Sequence, residues 1–312
     1  MMSHDESRRE FLKNSLVVSV AVAGASFGFM DPLKAGAADY PDMSICNGKD
    51  AALITRQAVE ALGGIKRFVK PGAKVVIKPN MSFARSPETG ANTNPLVVRE
   101  VARMCAEAGA SSILIVDNVL NNPTDCLKLS KIPEYCKDVP NTRTHVVKNE
   151  RLFREVSVES GTQFKKMRAL SDALDADTLI SVPVGKSHGS SGVSMSMKGM
   201  MGLIYDRTSF HNRYDLHESI VDMVTVLKPH LVVMDGTRIL STGGPGGPGE
   251  VIPLDLVIAS ADMVAADAQM VALGKWYGKK LQPKQIKHIR IAAERGLGRI
   301  DLDKLNIKKI SV

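Results

Sequence analysis

Apolar residues in this chain fall into two patterns: short continuous runs, and longer stretches in which they recur every three or four positions. The first suits a strand buried on both faces, the second a helix with one face inward. Asp50 caps a helical pattern running to about residue 68, Pro71-Gly72 turns the chain, and residues 73 to 77 read as a buried strand. Asn94-Pro95 then opens a helix with proline in its first position, Ala108-Gly109 closes it, and a second apolar run follows at residues 112 to 116. Strand, helix, strand is a βαβ unit. The alternation resumes with strands at 178 to 182, 231 to 234 and 255 to 259, and with helices at 215 to 227, 262 to 276 and 282 to 296. Between about 119 and 170, Pro123, Pro133 and Pro140 interrupt it, predicting an irregular insertion with short strands near 145 to 147 and 153 to 158. The fold class expected is α/β, with a mixed, largely parallel sheet flanked by helices.

The first 37 residues read differently. Arg8-Arg9 followed by Phe11, Leu12 and Lys13 forms a twin-arginine signal, and residues 16 to 30 are apolar but too short and too rich in Ala, Gly and Ser for a stable membrane span. Ala35-Gly36-Ala37 supplies a cleavage site, so residues 1 to 37 are expected to be a signal peptide and residues 38 to 312 a single α/β domain. An uncleaved N-terminal anchor is the alternative. The expected location is periplasmic or otherwise exported, with the twin-arginine machinery as a partner. That route carries folded proteins, which points toward a cofactor without naming one.

Lys plus Arg number 41 against 33 Asp plus Glu, and four of each sign cancel in the signal, so the remaining chain keeps the net charge of +8. This favours acidic ligands. Aromatic residues at 4% and the lack of basic-aromatic interleaving exclude nucleic acid as a partner. The four cysteines lack the close spacing an iron-sulfur cluster needs. Cys105 lies on an apolar helix face, whereas Cys126 and Cys136 flank a proline-containing loop and are the one candidate disulfide pair.

In open α/β sheets ligands bind beyond the carboxyl ends of the strands, and polar residues gather there. Lys78-Pro79-Asn80, Asp117-Asn118, the run from Pro183 to His188, and Asp235-Gly236 each follow an apolar run. Residues 193 to 198 alternate V-S-M-S-M-K, so an extended chain would place Ser194, Ser196 and Lys198 on one face, a set suited to a carboxylate or phosphate. His188, His217, Asp235 and Asp267 form a candidate nitrogen and oxygen ligand set for a divalent metal. The clustered Met195, Met197, Met200 and Met201 allow Cu(I) ligation, but methionine more commonly fills cores. The glycines of residues 243 to 249 match neither a dinucleotide fingerprint nor a P-loop, since prolines interrupt them and Glu250-Val251 stand where Lys and Ser/Thr are required. A loop closing over the rim, with Gly244 and Gly249 near ligand, is the functional reading.

In these residues the chain resembles the domain of unknown function 362 family, found in exported proteins and in fusions to ferredoxin-like modules. The resemblance spans Val75 to Leu273 and rests on I-K-P-N at Ile77 to Asn80, Asn94-Pro95, Ala108-Gly109-Ala110, P-x-x-K-x-H at Pro183 to His188, Met197-Lys198 with Gly202, Leu216-His217, Asp235-Gly236, Gly244-Pro245 with Gly249, and Asp267. Gly199 replaces the asparagine that usually follows the lysine, and the ferredoxin-like segment is absent. The resulting expectation is a basic pocket for a small anionic ligand, with metal assistance open. Lys186, His188 and Lys198 are its candidate catalytic groups, and Lys78, Asn80, Ser194, Ser196, Gly244 and Gly249 its binding groups. A non-catalytic partner or metal-handling protein of a periplasmic redox assembly is the alternative.

Replacing Arg8 and Arg9 together by lysine should leave precursor in the cytoplasm when cells are fractionated and immunoblotted. Normal periplasmic accumulation of the double variant would overturn the export reading.

Overall fold

Residues whose neighbours alternate between two apolar cores need no polar face, which is why the strands of this protein read as unbroken apolar runs. In the computed structural model, which describes residues 40–312, Val76, Leu114, Leu179 and Val232 point into one core while Val75, Ile77, Ile113 and Ile180 point into the other. The chain runs β1 (Met43–Asn47), α1 (Ala51–Ala61), β2 (Lys74–Pro79), α2 (Pro95–Glu107) and β3 (Ser112–Asp117). It continues through α3 (Pro123–Ser130), α4 (Ile132–Cys136), β4 (Thr142–Val146), the antiparallel pair β5 (Phe153–Ser157) and β6 (Lys166–Leu170), and the short α5 (Ser171–Leu174). Then come β7 (Thr178–Val182), β8 (Val184–His188), β9 (Gly192–Ser194), α6 (Ser196–Gly199), α7 (Thr208–Asn212), α8 (Leu216–Val224) and β10 (Leu231–Leu240). The last elements are β11 (Val251–Ser260), α9 (Met263–Leu273), α10 (Lys287–Glu294) and β12 (Ile307–Ser311).

The main sheet is ordered β12-β1-β11-β10-β7-β2-β3-β4, with β8 and β9 branching from β10. Strands β10, β7, β2, β3 and β4 are mutually parallel, and β11 alone on the main path runs against its neighbours. The sheet is therefore mixed and largely parallel. From β2 the chain proceeds outward to β3 and β4, then returns across β2 to build β7 and β10 on the other side. A topological switch point results between β2 and β7, where strand carboxyl ends diverge and leave a crevice.

Several boundaries differ from the sequence reading for identifiable reasons. Helix α1 ends at Ala61 rather than near residue 68, because Gly63 and Gly64 take φ values of 106° and 79° that reverse the chain. The region read as an insertion contributes β4 to the main sheet, paired in parallel with β3, so only β5 and β6 lie apart. Residues 193 to 198 are not one extended segment. The Asp267 carboxyl group accepts hydrogen bonds from Ser196 N (2.8 Å) and Met197 N (3.0 Å), and these bonds at the start of α6 turn the chain into a helix. All four cysteines are buried and free, so the Cys126–Cys136 bridge is absent; Cys126 Sγ instead faces Ser82 O at 3.4 Å. The signal peptide reading lies outside the described residues.

Asp235, at the middle of β10, ties that strand to the start of α2. Its Oδ2 accepts from Asn94 N (2.8 Å), at the cap of α2, and from Arg238 Nη1 (2.5 Å), while Oδ1 accepts from Thr237 N and Oγ1. Arg238 continues to Pro87 O and Asn92 O. Asp235→Ala should lower unfolding free energy by about 3 kcal/mol, because it strands a largely buried guanidinium. Thr237→Val should cost about 1 kcal/mol. Urea unfolding measures both, and a neutral Asp235→Ala would refute the structural role.

Candidate functional site

The switch-point crevice holds a cavity of about 580 Å³. Strand β2 delivers Lys78 and, just past its end, Asn80; β3 delivers Asp117; β8 and β9 deliver Lys186, His188 and Ser194; and α6 delivers Lys198. The expected anion-site residues Lys78, Asn80, Lys186, His188, Ser194 and Lys198 thus line one concavity. Asn80 also fastens its rim: its Oδ1 accepts from Val184 N (3.0 Å), and its backbone N–H donates to Thr93 Oγ1 (2.8 Å).

Among the described residues, five basic side chains line the cavity against a single carboxylate, Asp117. Lys78 Nζ lies 3.1 Å from Asp117 Oδ1 and donates to Pro79 O (2.6 Å). The ion contact is not aligned as a hydrogen bond, so Oδ1 retains unused acceptor capacity. Asp117 Oδ2 is occupied by Ser82 Oγ (2.7 Å) and Met81 N (3.1 Å). Lys186 Nζ donates to Ala91 O (2.7 Å) and stands 4.9 Å from the Phe83 ring centroid, a cation–π contact. Among the described residues, Lys198 Nζ reaches only the weak acceptor Met201 Sδ, at 3.5 Å.

These surroundings disfavour charge on the lysines. Burial, opposed by Asp117 but reinforced by Lys78 and Lys198, lowers Lys186 to about 7. Burial and Arg207 lower Lys198 to about 8. Lys78 is also lowered, with burial outweighing the Asp117 attraction. Burial, then Lys198 and His211, push His188 down to about 3, so its ring is neutral. His188 Nδ1 accepts from Ser190 N (3.2 Å) and Ser191 N (3.3 Å), which leaves its proton on Nε2. His211 has the opposite arrangement: its Nδ1 faces Arg207 O at 3.0 Å and must donate, leaving the Nε2 lone pair free. The two rings are 6.2 Å apart.

The remaining predicted residues lie elsewhere. Ser196 is turned inward, its Oγ donating to Ser181 Oγ (3.0 Å). Gly244 donates its N–H to Ser187 Oγ (3.0 Å), and a Cβ on Gly249 would lie 1.8 Å from Thr242 O, so both shape the glycine loop while Pro245 reaches the cavity. The four candidate metal ligands do not assemble. Asp235 is taken by Arg238 and Asn94, Asp267 caps α6, and His217 stacks on His288 at 5.8 Å. Among the described residues no group of three or more His, Cys, Asp or Glu is placed to hold a metal ion. The four clustered methionines are buried in the core.

Sequence reasoning missed Lys148, Arg207 and His211. Lys148 follows β4 and would have been found had that strand been assigned to the parallel sheet. Arg207 and His211 stand four apart around a short helix, a spacing that offered a weak signal. Gly202 is required by space: a Cβ there would lie 2.0 Å from Asp117 Oδ1 and 2.3 Å from Lys78 Cε. Gly199 is not so constrained, since its Cβ would meet only Asn80 Nδ2 at 3.8 Å, and the glycine leaves the cavity wider than an asparagine would.

A family described as domain of unknown function (DUF362) matches residues 75–272, more than half of the chain. A thylakoid-associated protein of Synechocystis sp. is 28% identical over 227 residues, covering 68% of this chain and 66% of its own length. The chain therefore spans slightly less than two thirds of that relative. A lactate racemase apoprotein from Thermoanaerobacterium thermosaccharolyticum aligns with a TM-score of 0.45 at 12% identity, covering 73% of this chain and 57% of that one. A likeness of that degree transfers no chemistry.

The depressed lysines make stability depend on pH in a definite direction. Lys186 in the folded chain releases its proton near pH 7, whereas an unfolded lysine does so near 10.5. The unfolded state therefore binds more protons between those values, and this group makes stability rise with pH across that window. Lys186→Met should raise the melting temperature most below pH 7, the gain shrinking toward pH 10. A scan showing a pH-independent difference would refute the buried-charge account.

Proposed function

We propose that this chain, which belongs to the domain of unknown function 362 family, binds a small anion in the cavity at the β2–β7 switch point. The observation that carries this reading is the charge imbalance there: Lys78, Lys148, Lys186, Lys198 and Arg207 against Asp117 alone. The three buried lysines among them, Lys78, Lys186 and Lys198, repel one another and are poorly solvated, and an anion offsets both effects. A volume of about 580 Å³ admits a small metabolite. His188 as an Nε2–H donor and His211 as an Nε2 acceptor supply hydrogen-bonding groups of opposite polarity beside the cations, a combination that favours an enzyme over a passive partner protein. Delivery to the periplasm by the twin-arginine signal of residues 1 to 37 belongs to the same proposal.

Anion binding favours a protonated Lys186, so it should take up a proton and weaken as pH rises past 7, where Lys186 loses its own. Thermal-shift measurements with phosphate, sulfate, carboxylates and nucleotides at low salt should find at least one stabilising anion, its effect declining with salt and with pH. Calorimetry in buffers of different ionisation enthalpy should register the proton uptake. Failure of every anion to stabilise the protein would overturn the reading.

A further inference from the structure

The three buried lysines are not equivalent. Lys78 faces Asp117 and a main-chain carbonyl, and Lys186 faces a main-chain carbonyl and an aromatic ring. Lys198 is also buried, at 8% exposure, but among the described residues its amine has no oxygen partner; it donates to a thioether sulfur 3.5 Å away. An ammonium so placed has three N–H groups and one weak protein acceptor, which shifts the balance toward the neutral amine with its available lone pair. The charged and titratable groups whose fields meet there are Arg207, Lys186, His188, His211 and His288. With the exception of the interior His288, all of them line the same cavity.

We infer that Lys198 is a nucleophile that captures the carbonyl group of a small carbonyl-bearing anion as a Schiff base, while Lys78, Lys186 and Arg207 hold the anionic end. This rests on the anion-pocket reading and names the substrate class for it. The His188 Nε2–H donates to the carbonyl oxygen and polarises it, as a neutral imidazole can. The Lys198 lone pair forms the C–N bond as the C=O π electrons move to oxygen. His211 Nε2 then carries the two amine protons in turn from nitrogen to oxygen, the C–O bond breaks, and the nitrogen lone pair completes C=N. The carbonyl oxygen departs as water bearing both amine hydrogens, so the step balances with no oxidant or reductant. Lys198 itself, at about 8 when the cavity is empty, presents a substantial neutral fraction near physiological pH.

The test is trapping. The full-length protein is incubated with sodium cyanoborohydride and, separately, pyruvate, glyoxylate, 2-oxoglutarate or dihydroxyacetone phosphate, then analysed by intact mass and peptide mapping. The first three probes against the last distinguish a carboxylate from a phosphate as the anionic end. The expected result is one adduct per chain on Lys198 with at least one probe, suppressed by the matching anion that lacks a carbonyl, lactate or glycerol phosphate. Lys198→Met should lose the adduct. Lys198→Arg, which keeps the cation but cannot form an imine, should lose it while still being stabilised by lactate or phosphate, provided that anion stabilises the wild type. No adduct on the wild type, an adduct on Lys186 or surface lysines only, or labelling unaffected by the competing anion would each overturn the proposal. Thermal stabilisation by non-carbonyl anions without any adduct would sink the Schiff base and leave the anion site standing; absence of stabilisation by any anion would sink both.

Discussion

The rest of the structure accommodates one constraint: several cationic side chains must be kept out of bulk water around a single carboxylate. Asp117 faces Lys78 at 3.1 Å and spends its second oxygen on Ser82 and Met81, so it cannot neutralise the others. Main-chain carbonyls receive Lys78 and Lys186, a phenyl face receives Lys186, and a sulfur atom receives Lys198. Each partner is weaker than a carboxylate. The chain therefore holds these groups partly by lowering their proton affinity, and the double-sided apolar core supplies the stability that makes such a site tolerable.

The scaffold fixes this geometry by converging strand ends rather than by a flexible loop. Lys78 and Asp117 come from neighbouring parallel strands, staggered by one residue, since Ile77 pairs with Ile115. Asn80 and Thr93 then lock the exit of β2 to β7 and β8, with Thr93 Oγ1 donating to Val182 O at 2.8 Å. The remaining wall comes from the turn after α6, where Gly202 lets its backbone approach the Lys78–Asp117 pair and accept a hydrogen bond from Asn118 N at 2.9 Å. The glycine loop closes another side: a Cβ on Gly246 would lie 2.8 Å from the Phe83 ring, the same ring that faces Lys186.

What the sequence revealed and what it hid follow from the range of the interactions involved. Apolar runs such as residues 73 to 77 and 112 to 116 were legible because a strand buried on both faces has a local signature, and the lysines at strand exits followed from strand direction. Strand β12, I-K-K-I-S, was missed because its exposed lysines give a short edge strand little apolar pattern. The alternation of residues 193 to 198 misled because the Asp267 carboxylate that bends the segment lies 70 residues away in sequence from Met197. Asp235, Asp267 and His217 suggested metal ligands for the same reason: their partners Asn94, Ser196 and His288 are distant in the chain, so each looked unoccupied. Cys126 and Cys136 were close in sequence, but each is packed into the core as a free thiol.

A pocket whose lysines release protons near neutrality is more than an electrostatic trap, because its charge depends on what occupies it. Empty, Lys186 and Lys198 at about 7 and 8 share protons with solvent, and each charged one discourages the next. An anion held at the Lys186 end would favour protonation of Lys186, and Lys198, placed at the ligand's other end, would keep its neutral fraction. His188 does not take part in this exchange. Two backbone N–H groups occupy its Nδ1 and burial keeps the ring neutral, so Nε2–H points the same way at any physiological pH. In the proposed anion site, charge selection and hydrogen-bond direction would thus fall to different side chains: Lys186 would respond to the ligand's charge, while the histidines would fix which of its atoms accept and which donate.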